Sequence, residues 1–88
     1  MKVKVELFSE LRLMLGKQIE LEIAKGSTVK EALEAFYDRF GDSLKFKIVD
    51  ANTNHYQMAF SVNNQLSNET IVLKEGDTLA IIPPVAGG

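Results

Sequence analysis

The stretch with the clearest chemical potential closes the sequence: Pro83-Pro84-Val85-Ala86-Gly87-Gly88. Each proline ring fixes its own φ, so a diproline stiffens the chain as it leaves the preceding element. The two glycines carry no side chain and can pass through a narrow channel. Read as the chain's end, the group that can react is the main-chain carboxylate of Gly88. A carboxylate is a poor electrophile. Adenylation by ATP converts it to a mixed anhydride with a good leaving group. A sulfur nucleophile can then displace AMP and leave a thiocarboxylate. The sequence has no G-x-x-x-x-G-K-S/T loop to cradle the phosphates of ATP. The activating enzyme is therefore expected to be a second protein, and no cofactor is expected to reside on this chain.

The side chains offer little else. The 88 residues include no cysteine and one histidine, His55. That excludes zinc-thiolate and iron–sulfur sites, disulfide staples and any thiol nucleophile. His55 stands beside the turn Asp50-Ala51-Asn52-Thr53-Asn54 with no ligand set around it, so no metal site is expected and the histidine is read as solvent-exposed. Ten basic and twelve acidic residues give a net charge of −2, with the signs interleaved. A nucleic-acid surface would need a basic excess on one face. No apolar run approaches the roughly 20 residues that span a bilayer. Met1-Lys2-Val3-Lys4 leads straight into an alternating pattern without a signal-peptide core. The expectation is a cytoplasmic protein that binds neither nucleic acid nor membrane, and the Asn68-Glu69-Thr70 triplet is read as chance.

The elements that must position the tail follow from periodicity. Val3, Val5 and Leu7 alternate with Lys2, Lys4 and Glu6, which predicts a half-buried strand. Phe8 falls on the polar parity and is expected to point away from the core. Ser9–Leu15 predicts a short helical turn ended by Gly16. Ile19, Leu21 and Ile23 mark a second strand. Thr28 and Glu31 form a capping-box pattern ahead of Val29, Ala32, Leu33, Phe36, Tyr37 and Phe40, one apolar stripe at helical spacing that Gly41 ends. Residues 42–56 fit either a short strand or a loop packed on the helix end. Met58, Phe60 and Val62 predict a third strand, Asn63-Asn64 a turn, Ile71–Leu73 a short fourth strand or extended segment, and Thr78–Ile82 the last strand.

This order predicts an α+β domain over residues 1–82: a mixed sheet of about five strands with one main helix on one face, the β-grasp or ubiquitin-like fold. Residues 83–88 form its tail. A ferredoxin-like fold would need a second long helix, which the pattern does not supply. With the Thr28-Val29 helix entry, the Val62-Asn63 turn and the Pro83–Gly88 ending, the sequence resembles the small, sulfur-carrier subunits of molybdopterin synthase. That resemblance implies a thiocarboxylate on Gly88, delivered by Pro83, Pro84, Val85, Ala86 and Gly87 into the active site of a large subunit. There the sulfur would go to precursor Z, cyclic pyranopterin monophosphate, to build the molybdopterin dithiolene. It implies an E1-like adenylyltransferase that uses ATP, and a heterotetramer of two small and two large subunits. It also implies a partner interface at Phe8, Leu66 and Ile82. Two alternatives share the activation step: a protein modifier joined through Gly88 to lysine amines, and a sulfur carrier for another pathway such as thiamin. A plain interaction domain would not need its glycines at all.

Overall fold

The computed structural model describes residues 1–84. Five strands form one sheet: β1 (Lys2–Leu7), β2 (Gln18–Glu22), β3 (Ala59–Val62), β4 (Gln65–Ser67) and β5 (Thr78–Ile82). Their order across the sheet is β2-β1-β5-β3-β4. The two central strands, β1 and β5, run parallel, and every other neighbouring pair is antiparallel. Three helices join them: α1 (Ser9–Leu15), α2 (Val29–Phe40) and α3 (Asp42–Ile48). This is the β-grasp arrangement that the alternation and the single long amphipathic stripe predict.

One face of the sheet builds the core. Register pairing places Val5 and Leu7 beside Leu79 and Ile81, Val3 beside Leu21, and Phe60 beside Ile81. Val29, Ala32, Leu33 and Phe36 of α2 close over them, with Leu11 of α1 and Leu44 and Ile48 of α3 in the same cluster. The helix α2 begins as its sequence dictates. The Thr28 hydroxyl accepts from the Glu31 N–H at 3.3 Å, and a Glu31 carboxylate oxygen accepts from the Thr28 N–H at 2.9 Å. Helix α2 stops at Gly41, where φ is +96°, and the same residue opens α3 at once.

Two elements differ from the sequence expectation. Residues 42–48 are neither strand nor loop but the helix α3. Leu44, Phe46 and Ile48 alternate and so imitate a strand. Leu44 and Ile48, however, lie one helical turn apart and point together into the core, while Phe46 turns outward and is 48% exposed. The fourth strand is Gln65–Ser67 rather than Ile71–Leu73. Asn63 and Asn64 both have positive φ, the geometry of a tight primed hairpin turn, so the chain reverses directly into β4. Ile71–Leu73 is the extended alternative: it bridges to Thr28 through Val72, and Leu73 N–H donates to the Ser27 carbonyl at 2.8 Å beside the start of α2.

Candidate functional site

The strand that leads to the tail is tied in place at its start and along its length. At its start, the Asn63 side-chain oxygen accepts from the Thr78 N–H at 3.0 Å, and its amide donates to Asp77 at 2.9 Å. Asp77 in turn accepts from the Lys74 N–H at 2.8 Å. Between, β5 is paired on both sides, with β1 and with β3. At its end, Pro83 cannot donate to a ladder, so pairing stops there and the chain must leave the sheet. Pro83 is half-buried and Pro84 exposed. The tail residues Val85, Ala86, Gly87 and Gly88 lie outside the described residues.

The three expected interface residues come to one face, opposite the core. Side chains opposed in register share a face. Ala59 is opposed to Ile82, and Ser61 to both Ala80 and Leu66. Phe8 follows Leu7, whose partner is Ile81, and its backbone stays extended at φ −133° and ψ 161°. It therefore keeps the strand alternation and falls beside Ile82. Leu66 is 84% exposed. Phe8, the residue that precedes α1, and Ile82 are half-buried rather than open. Ala80 and Ser61 are buried in mid-sheet between them. The core cluster takes its helical members from α1, α2 and α3, so all three helices lie on the other side.

Around the strand end, the same Phe8 lines a groove with a volume of about 230 Å³ whose other apolar walls are Leu11, Phe46, Met58 and Pro83. An ion pair, Lys47 Nζ to Glu10 at 2.6 Å, ties α3 to α1 at its rim. The sequence reading missed this groove, because Phe46 lies on the helix it did not find.

A larger cleft, about 570 Å³, lies elsewhere on α2 and α3 and shares no lining residue with the groove. His55 is exposed at its edge, as expected from the sequence. Lys30, Lys45, Glu34 and Glu69 also line it, so its charges balance. Burial, Tyr56 and Glu34 push the Tyr37 hydroxyl well above the usual phenol range. Burial and the Glu69 carboxylate push Tyr56 up to about 12. Both phenols therefore stay protonated at neutral pH. Nearby, the backbone N–H groups of Asn52 and Thr53 hold the exposed Asp50 carboxyl below its ordinary range, which fixes the turn. None of these groups lines the groove beside Pro83. No helix among the described residues is long and apolar enough to cross a membrane.

A β-grasp body whose central strand β5 ends in a stiff diproline is the architecture of ubiquitin-like proteins. The comparisons agree. Residues 5–88 match the model of the ThiS family, and the chain belongs to that family. The molybdopterin synthase sulfur carrier subunit of Arabidopsis thaliana is 27% identical, over 99% of this chain and 83% of that protein. Among solved structures, SAMP1 from Haloferax volcanii superposes with a TM-score of 0.84 at 23% identity, covering 100% of both chains, which bears on the fold alone. A chain of the Amycolatopsis orientalis BexX/CysO complex is 30% identical with a TM-score of 0.74, covering 98% of this chain and 99% of that one. A chain of the complex of subunits 1 and 2 of molybdopterin-converting factor from Helicobacter pylori 26695 is 25% identical with a TM-score of 0.63, covering 100% of both.

Proposed function

We propose that this protein is the sulfur-carrier subunit of a molybdopterin synthase. The observation that carries the reading is the placement of Pro83-Pro84 at the end of β5, ahead of Gly87-Gly88 in the sequence and beside the uncharged half of the outer sheet face. The Arabidopsis relative and the Helicobacter complex support the choice of pathway. An E1-like enzyme joins the Gly88 carboxylate to AMP and releases pyrophosphate. Sulfur at the sulfide level then displaces AMP and leaves the thiocarboxylate. The body docks on the large subunit through Phe8, Leu66 and Ile82. The tail enters that subunit's active site, where the sulfur passes to cyclic pyranopterin monophosphate, the Gly88 C–S bond breaks and water supplies the oxygen that returns Gly88 as a carboxylate; each carrier delivers one of the two dithiolene sulfurs. With no cysteine in the chain, the sulfur cannot travel as a persulfide on a side chain. The C-terminal carbonyl is the remaining carrier. Two small and two large subunits are the expected assembly, which the native mass of the purified complex checks.

The test is intact-mass measurement of the full chain after incubation with its activating enzyme, ATP and a sulfur donor. The expected result is the gain from replacing one oxygen by sulfur, mapped to Gly88. No gain, with an activating enzyme shown to turn over on another carrier, overturns the proposal. The modifier alternative is read from denaturing gels of cell extract. A ladder of conjugates that vanishes when Gly88 is deleted would assign lysine amines as acceptors of the same activated group.

A further inference from the structure

The open face is too small to be the whole docking surface. An aromatic side chain buries only about 150–250 Å² even when it starts fully exposed. Phe8 and Ile82 are already half-buried, and Leu66 is the one prominent side chain of the three. Together they fall short of the roughly 800 Å² that each side of a stable interface usually contributes. The inserted tail adds contact of its own, and around the body the surface can extend from these three residues. Toward β1 and β2 the face turns to Lys2, Lys4, Glu6, Glu20 and Glu22, which are costly to desolvate. Toward the strand end it passes, through Phe8 itself, into the groove of Leu11, Phe46, Met58 and Pro83.

The length of the tail points the same way. Four residues follow Pro84, and four extended residues reach at most about 14 Å. An enzyme that encloses Gly88 must therefore bring its surface close to Pro84, and the groove is the concavity that Pro83 lines. The rim also selects what can enter. Glu10 and Lys47 are paired with each other, and the Gln57 side-chain amide donates to the Phe46 carbonyl at 3.2 Å. These polar groups have partners already, so a charged ligand would find few free ones, while the walls offer apolar contact.

We propose that this groove is the second half of the docking surface for the subunit that takes Gly88 into its active site, and that it receives one large apolar side chain of that subunit. The inference rests on the sulfur-carrier reading and adds to it a surface that the sequence resemblance does not supply.

The experiment titrates the full chain with the large synthase subunit by calorimetry, beside the thiocarboxylation assay as a control. Phe46→Ala is the main variant, since Phe46 is an exposed residue of α3 outside the core cluster. It is expected to weaken binding by about tenfold, the scale of an interface hot spot. Phe46→Leu, which keeps an apolar wall, is expected to restore most of the loss. Leu13→Ala removes an even more exposed apolar side chain outside the groove, at 88% exposure, and is expected to bind as wild type. If Phe46→Ala binds as tightly as wild type while Leu66→Glu does not, the groove proposal is overturned and the carrier reading stands. If wild type itself neither binds nor gains sulfur, the carrier reading fails and takes this inference with it.

Discussion

On the outer face of the sheet, β1 and β2 present Lys2, Lys4, Glu6, Gln18, Glu20 and Glu22, whereas β5, β3 and β4 present Thr78, Ala80, Ile82, Ala59, Ser61 and Leu66. The strands are continuous members of one sheet and share one core on the other side. Folding alone therefore does not require the two halves to differ. The charged half answers its own needs: Lys2 is opposed to Glu22 and Lys4 to Glu20, so opposite charges face each other across the strands. The neutral half has no such pairs and sits beside the point where the tail departs. Under the proposed function, the charged half stays in water and the neutral half meets the partner.

The sharpest separation of the neutral half from its tail comes from deleting Gly88. Sulfur transfer should be lost, because the terminal carboxylate then sits on Gly87, one residue short of the reacting position. Binding of the large subunit, measured by the same titration, should persist through the open face. The core cluster has no member after Ile81 among the described residues, so the melting temperature should stay within a degree or two of wild type. A large fall in melting temperature would mean that the tail supports the body and would break the division drawn above.

The next effect belongs to the covered face. Phe36 is 1% exposed and packs tilted against Phe40, with ring centroids 5.1 Å apart. Phe36→Ala removes a large side chain from a close-packed site and is expected to cost about 3–5 kcal/mol in chemical denaturation. For a domain whose total stability is of order 5–15 kcal/mol, that is enough to unfold a good part of the population and to mimic a functional defect. Leu66→Glu should do the reverse. It leaves the midpoint of denaturation nearly unchanged, within about 0.5 kcal/mol, because the side chain is exposed. It should nevertheless weaken large-subunit binding by about 10–100-fold, because a carboxylate would be buried without a partner. Equal loss of both properties in either variant would erase the contrast between the two faces.

Most of this architecture is legible in the sequence, because the alternation of Val3, Val5 and Leu7, the Thr28–Glu31 capping box and the stripe to Phe40 are local signals that tertiary packing reinforces. The parts that are not legible have local signals that mislead. In α3, two buried residues one turn apart flank an outward Phe46 and read as a strand. In Gln65–Ser67 the strand is three residues long and at the sheet edge, so it lacks a buried face to leave a pattern. Ile71 and Val72 have high strand propensity but pair only as a single bridge at the start of α2. The same distinction runs through the site. Phe8 and Ile82 betray themselves by parity, which is a sequence property. Leu66 came only from resemblance to a family, and the groove beside Pro83 could not be foreseen without α3.

The smallest expected effect tests the charged half directly. Lys4 lies opposite Glu20, and Glu6 opposite Gln18. Lys4→Glu would set two carboxylates across from each other and should destabilise the fold by about 0.2–1 kcal/mol in low-salt denaturation. Glu20→Lys alone should do much the same by opposing two ammonium groups. The double variant restores opposite signs in reversed order and should recover most of the loss, so the coupling in the cycle is favourable. Raising the salt concentration should shrink that coupling, since these side chains are exposed and screened. Large-subunit binding should be the same for all four proteins. If instead Lys4→Glu weakens binding as much as Leu66→Glu does, the charged half belongs to the interface, and the boundary between solvent and partner must be moved from the β1–β5 seam to the far edge of β2.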